Sequence, residues 1–364
     1  MAELLQWDDF SQQGRELMSL RAQAENHTLV HALLIKGEPG TGKKSLAILM
    51  AATLLCEEDN RPCGHCKSCR MILSDDHPDL VIVRQGSPLN AETKAGRTTI
   101  PVDDIREMIR LCAVRPVQSR QKVVLIFQAD RLTVQAQNSL LKTLEDPPQS
   151  INFILVSDHS EALLMTILSR CRSFRMKPWT SAYIRDILNR KNVSPAVAAD
   201  AAEASDGSIG NAVKLADDQN YWKMREELMA LFFGSTRRSA VPAASNSWKD
   251  RKDDAELLCA ILENLVETLL KCRLGSENAS LSASYPPQWQ RMAREADPIT
   301  FSRLLTGIAE ARKQLQSFVN FQAVFERLLL QFIGEGSVKT SFTSAAGPPA
   351  KEAYSKQASE RRRL

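Results

Sequence analysis

No apolar run in this 364-residue sequence approaches the roughly 20 residues a helix needs to cross a bilayer, which excludes a helical membrane span. Charge of one sign is also in short supply. The 47 Lys and Arg face 43 Asp and Glu, leaving a net charge of +4. So small an excess permits nucleic-acid contact without arguing for it. The start, Met1-Ala2-Glu3 running into Trp7-Asp8-Asp9, lacks the basic stretch and apolar core of a secretory leader. A cytoplasmic protein without a membrane partner is therefore expected. Past Tyr221 no convincing strand pattern remains.

The most informative absences surround a glycine loop. Gly37-Glu38-Pro39-Gly40-Thr41-Gly42-Lys43 follows the apolar Leu33-Leu34-Ile35 and opens into the helical run Ser45-Leu46-Ala47-Ile48-Leu49-Met50. This is the strand, turn and helix setting of a nucleotide phosphate. Glycines let backbone N–H groups converge, the helix N-terminus adds positive potential, and Lys43 reaches the outer phosphates. Gly37, Gly40, Gly42, Lys43, Lys44 and Ser45 are thus candidate nucleotide-binding residues. Hydrolysis asks for more. A hydroxyl should follow the lysine to hold magnesium, and Lys44 stands there. An acidic pair should end a later strand, yet Val123-Val124-Leu125-Ile126 runs into Phe127-Gln128. Asp130, three residues on, reads as a turn or cap residue. ATP bound but not hydrolysed stays compatible with backbone amides and one lysine, as does a loop that only makes a tight turn.

Residues 1–178 read as an alternating α/β unit with strand candidates at Leu33–Ile35, Leu80–Val83, Val123–Phe127 and Phe153–Val156. Helical spacing between them, as in Val102, Ile105, Met108, Ile109 and Cys112, implies a mostly parallel sheet covered on both faces. Residues 179–218 read as a small helical lid, and 219–335 as a helical domain. Helical runs are expected near 221–233, 253–273 and 298–333, with a soft stretch from Gly234 to Asn246. The broad apolar stripe through Leu304, Leu305, Ile308, Leu315, Phe318, Val319, Phe321, Val324, Phe325, Leu328 and Leu329 suits a bundle core, with an oligomer interface as the alternative. Residues 336–364, ending in Arg361-Arg362-Arg363, read as a disordered tail.

Four of the eight cysteines, Cys56, Cys63, Cys66 and Cys69, form C-x6-C-x2-C-x2-C. Four thiolates close a tetrahedral shell around Zn2+, and two-residue spacers aim paired sulfurs at one ion. With no open position the metal would be structural, and Arg61, Lys67 and Arg70 would offset its negative shell. An iron–sulfur cluster and free thiols are the alternatives. Cys112, Cys171, Cys259 and Cys272 lie in apolar settings and are expected to be buried.

Together with these motifs, Asn138-Ser139-Leu140-Leu141-Lys142-Thr143-Leu144-Glu145-Asp146-Pro147-Pro148 and Thr166-Ile167-Leu168-Ser169-Arg170-Cys171 make residues 10–215 similar to the bacterial clamp-loader AAA+ family of DNA polymerase III. Within it the delta-prime branch is resembled more than the gamma/tau motor branch. The resemblance implies an AAA+ α/β domain over 1–178 carrying the zinc module at 56–69, a lid over 179–218 and an all-α collar over 219–335. It implies a heteropentamer with gamma/tau-type motors and a delta-type subunit, acting on a sliding clamp and on primed DNA. It assigns Arg170 as an arginine finger working in trans. Where motors carry arginine in a Gly-Ser-x-Arg lid motif, this chain has Gly207-Ser208-Ile209-Gly210. With Lys44 and Phe127-Gln128, that leaves three catalytic positions unfilled and implies a non-catalytic stator. An active motor ATPase, a zinc-dependent nucleic-acid binder and a self-assembling AAA+ protein outside replication are the rivals. Any DNA contact would go through the backbone, since no base-reading element is visible.

Overall fold

Side chains alternate between the two faces of a strand, and here the alternation sorts the residues packed on the sheet into two cores, one on each face. The computed structural model describes residues 4–87, 89, 97–232, 238–249, 251–275, 287–317 and 319–336. The tail expected at 336–364 lies, apart from Gly336, outside them. The chain divides into two compact units, Met1–Arg225 with Glu267–Gln290, and Glu226–Val266 with Arg291–Leu364.

The first unit runs α1 (Arg15–Glu25), β1 (Ala32–Lys36), α2 (Lys43–Leu55), α3 (Lys67–Leu73), β2 (Leu80–Val83), α4 (Val102–Cys112), β3 (Lys122–Ile126), α5 (Val134–Glu145), β4 (Ile151–Ser157), α6 (Met165–Leu168) and β5 (Arg172–Arg175). All strands pair in parallel, in the order β2-β3-β4-β1-β5, with Leu33 of β1 opposite Ile154 of β4 and Arg172 of β5. Leu33, Ile35, Val123, Leu125, Ile154 and Val156 face one core with Leu46, Leu49 and Met50 of α2. Leu34, Val124, Ile126, Phe153 and Leu155 face the other, against Ile105 and Met108 of α4 and Leu140 and Leu144 of α5. The expected α/β class and all four expected strands are present. The fifth, β5, has no counterpart in the sequence reading. It is an edge strand, Arg-Ser-Phe-Arg, with Phe174 its single apolar side chain, buried in the first core.

Asp79, fully buried just before β2, accepts main-chain N–H bonds from Val117, Gln118 and Ser119 at 2.6, 2.8 and 2.7 Å. These fix the loop between α4 and β3. Burial alone would raise its pKa, but the three donors outweigh burial and hold the carboxylate below its usual range. A carboxylate depressed in the folded state adds stability above its unfolded pKa of about 3.9, and that stability is lost as the pH falls through the lower folded value. Asp79→Asn is therefore expected to cost about 2–3 kcal/mol near neutrality. Paired denaturant titrations should show the deficit shrinking only below about pH 4. A deficit that is constant with pH would remove the charge from the account.

Three further helices follow: α7 (Ser181–Arg190), α8 (Pro195–Ala204) and α9 (Ile209–Asp217). Thr180 and Ser208 cap α7 and α9 through their hydroxyls, and Pro195 opens α8. Then come α10 (Gln219–Phe232), α11 (Val241–Ser247), α12 (Ala255–Arg273), α13 (Pro287–Glu295), α14 (Pro298–Gln316) and α15 (Phe321–Gly336). The stretch expected to be soft, Gly234–Asn246, holds all but the last residue of α11, whose composition, Val-Pro-Ala-Ala-Ser-Asn-Ser, reads as loop. The single run expected over 298–333 is two helices. Val319 N–H turns back to Gln314 O (3.2 Å), and the Asn320 side chain accepts from Ala323 N–H (3.2 Å) to start α15.

In the second unit Leu304 and Ile308 of α14 and Phe325, Leu328 and Leu329 of α15 are buried. Phe325 meets Phe232 edge-on at 5.4 Å and stacks on Trp248 at 5.3 Å. Leu305 and Leu315 are half-buried and Val319 is exposed, while the Phe318 side chain lies outside the described residues. The inner stripe is thus core, narrower than the pattern suggested.

Candidate functional site

The phosphate loop lies at the C-terminal end of β1, where parallel sheets gather their ligands. Lys43, the first residue of α2, is 3% exposed and folds back over the loop. Its ammonium donates to Gly37 O (2.7 Å) and to Glu38 O, and pairs with the Asp158 carboxylate at 2.7 Å. A longer bond, at 3.5 Å, reaches the Thr41 hydroxyl. Asp158 directly follows β4 and carries no motif of its own, so the sequence offered no signal beyond its place after a strand.

The two substituted magnesium positions touch each other. The Lys44 ammonium lies 5.2 Å from the centre of the Phe127 ring, a cation–π contact. Phe127 is buried, and Gln128 is exposed with a left-handed backbone (φ 52°). Ser45 is turned about 100° around α2 from Lys44. Asp130 lies in the short turn Ala129–Arg131, and its carboxylate accepts from the Ser157 hydroxyl and the Asp158 N–H, both at 3.1 Å, bracing the end of β4, a role the turn or cap reading did not include.

Residues from the α7–α9 segment close over the loop. Trp179 donates its indole N–H to Thr41 O at 2.7 Å and stacks on Tyr183 with ring centres 4.7 Å apart. Gly210 donates its N–H to Gly40 O at 2.9 Å. A Cβ at Gly210 would stand 3.1 Å from the Gly40 Cα, so the position expected to hold a sensing arginine in a motor is here a backbone-to-backbone contact. Around these groups lies a cleft of about 890 Å³, walled on one side by Leu4, Phe10, Tyr183 and Ile187.

Arg170 lies elsewhere, between α6 and β5, and does not line that cleft. Its side chain is 33% exposed. One terminal nitrogen donates to Thr166 O (2.9 Å) and the Ser169 hydroxyl (3.3 Å); the other pairs with Glu145 at the end of α5. Glu145 went unnoticed in the sequence as its partner.

Cys56, Cys63, Cys66 and Cys69 come together as their spacing implied, with all four sulfurs within 4.8 Å of one another. The closer pairs, Cys56–Cys66 at 3.9 Å and Cys63–Cys69 at 4.0 Å, approach the ~3.8 Å edge of a tetrahedron with 2.3 Å metal–sulfur bonds. Cys66 N–H donates to the Cys63 sulfur (3.2 Å) and Cys69 N–H to the Cys66 sulfur (3.3 Å), bonds that favour thiolates. Burial raises the Cys63 thiol, but the N–H groups of Cys66 and His65 bring it down to about 7, while burial pushes Cys56 and Cys69 up. The donor set fits one tetrahedral metal ion with no open position. Arg61 turns to Glu58 O and His27 rather than to this shell. Cys112, Cys171 and Cys259 are buried as expected, their thiols pushed up to about 11 by burial; Cys272 is only half-buried.

Two family models match the chain: "DNA polymerase III, delta subunit" over residues 12–180, and "DNA polymerase III, delta subunit, C terminal" over 219–334. The chain is 27% identical to DNA polymerase III subunit delta' of Bacillus subtilis over 90% of its length and 98% of that protein. It is 35% identical to subunit tau of Escherichia coli over 51% of its length, but over only 29% of that protein. Among solved structures it is similar to a DNA polymerase III gamma subunit-related protein of Thermotoga maritima, with 14% identity, a TM-score of 0.41 and coverage of 88% of this chain and 100% of that one. Matched on both sides of α7–α9 and aligned to a delta' relative almost end to end, the chain belongs to the clamp-loader subunit family of DNA polymerase III, on its delta' branch.

Proposed function

We propose that the chain is the non-catalytic stator of a bacterial clamp loader, donating Arg170 to the ATP site of a neighbouring gamma/tau-type motor. That motor and a delta-type subunit would complete a heteropentamer that opens a sliding clamp and places it on primed DNA. The observation that carries this reading is the separation of Arg170 from the chain's own phosphate cleft. A guanidinium so placed meets a γ-phosphate only if another subunit supplies it. Its pairing with Glu145 is half-exposed on both sides, at 33% and 51%, and such a pair is worth about 1 kcal/mol or less. Phosphate displaces it at little cost, and the guanidinium then offsets charge that develops in the transition state.

The chain's own hydrolysis is disfavoured on separate grounds. Lys44 and Phe127 occupy the positions that would hold magnesium, and Gly210 stands where a motor would carry its sensing arginine. Cys56, Cys63, Cys66 and Cys69 would hold Zn2+ as a structural staple, the ion fixing the fold of residues 56–73 and taking no part in chemistry.

The alternative, an active gamma/tau-like motor, draws on the similarity to tau. Reconstitution with motor and delta-type partners separates the two. The isolated chain is expected to be inert. In the assembly Arg170→Ala should slow the adjoining site by about 10³-fold, and total DNA- and clamp-stimulated turnover severalfold, without preventing assembly. Turnover by the isolated chain, or a substitution without effect on the complex, would overturn the stator reading.

A further inference from the structure

We propose that the cleft over residues 37–45 takes the polyphosphate of a nucleoside di- or triphosphate without a divalent metal, and that Asp158 holds it shut as an internal anion. The proposal rests on reading Gly37–Lys43 as a phosphate loop, and is independent of what Arg170 does in trans.

The cleft still has the size for such a ligand, at about 890 Å³, and an apolar wall for a base. What has changed is the source of its positive charge. Magnesium seeks carboxylate, hydroxyl and water oxygens in an octahedron. At the two positions that would offer them stand an ammonium and a phenyl ring, 5.2 Å apart and in mutual contact. Arg190 and Lys191 also line the cleft, and with Lys44 they have no carboxylate partner among the described residues. Against these three cations stand Asp9 and Asp158. A dication entering here meets like charge and few ligands; a polyanion meets the reverse.

Lys43 explains why the site is closed. Its ammonium donates to Gly37 O, Glu38 O and, at 3.5 Å, the Thr41 hydroxyl, and it pairs with the Asp158 carboxylate at 2.7 Å. Among the described residues the Asp158 carboxylate is the one anion paired with this ammonium, in the role a phosphate oxygen would otherwise take. The lysine is 3% exposed and the aspartate 38%, so the aspartate is the partner that can swing into solvent. Ligand entry must break this pair, and the broken pair is the penalty. Removing the carboxylate while keeping its shape should therefore open the site.

The test is a titration of the purified full chain with fluorescent methylanthraniloyl-ADP, in EDTA and in excess magnesium. Asp158→Asn is expected to bind about tenfold more tightly than wild type, with magnesium changing either affinity less than about twofold and inorganic pyrophosphate competing. Lys43→Ala on the same background should abolish the gain. An Asp158→Asn chain that binds no tighter, binding that appears only with magnesium, or failure of pyrophosphate to compete would each overturn the proposal. Should Asp158→Asn not fold, the thermal midpoint of the wild-type chain decides. A rise with saturating pyrophosphate in EDTA supports the site; no rise, or a rise that needs magnesium, sinks it. Loss of this proposal would leave the Arg170 experiment untouched, since that one is read in the assembled complex.

Discussion

With Cys56, Cys63, Cys66 and Cys69 holding Zn2+ as proposed, removal of the ion is expected to unfold residues 56–73 and lower the thermal midpoint of the chain by roughly 10 °C, the shift that a loss of ~3–4 kcal/mol gives in a unit of this size. The segment has little else to hold it. Its only helix, α3, has seven residues, too few to persist alone. Its first turn is capped by the Cys66 sulfur, which accepts from Cys69 N–H, so the ligand set and the helix start are the same atoms. Ile72 and Cys69 are buried against α2, and Ser68 bonds Glu57, His77 and Gln118. Losing the metal therefore loosens the loop between α4 and β3 as well, through Gln118. A chelator series followed by scanning calorimetry and limited proteolysis would show cleavage near residues 57–65 first. A chain that carries no zinc by elemental analysis, and melts unchanged after chelation, would leave the cluster as free thiols.

What the sequence disclosed and what it hid divide along a physical line. The phosphate loop, the cysteine cluster and four of five strands are local patterns, written in spacing over a few residues. The contacts that decide the site's behaviour join residues far apart in the chain. Lys43 meets Asp158, Trp179 reaches Thr41, and Arg170 finds Glu145. Asp158 and Trp179 sit in no pattern that marks them, and the motif that contains Glu145 does not mark it as the partner of Arg170. The fifth strand escaped for a related reason: an edge strand with one buried side chain has no alternation to read. Helix α11 was hidden by composition, since Pro242 at a helix start costs nothing that an interior proline would. The Lys44–Phe127 contact lies between the two cases. Each residue was visible as a departure, but only the fold shows that one replaced group rests on the other.

Gly207→Ala is expected to be among the most damaging single changes in the first unit, at about 3 kcal/mol or more, and Gly86→Ala serves as its control. Both glycines have the same left-handed backbone, φ 77° and 76°. That conformation alone costs an alanine about 1–2 kcal/mol. They differ in the space around them. A Cβ on Gly86 meets nothing within 4 Å, whereas one on Gly207 would stand 2.5 Å from the Pro178 Cβ and 3.0 Å from both N and O of Trp179. These are backbone and ring atoms that cannot rotate away. Gly207 O also accepts the Trp179 N–H at 3.0 Å, so the clash falls on the residue whose indole holds Thr41. Pushing Trp179 outward should lower the midpoint by roughly 8–12 °C and shift its fluorescence toward that of an indole in water. Gly86→Ala should cost no more than the backbone share. Equal losses in the two variants would mean that φ alone governs, and that the Trp179 contact contributes nothing to holding the phosphate loop.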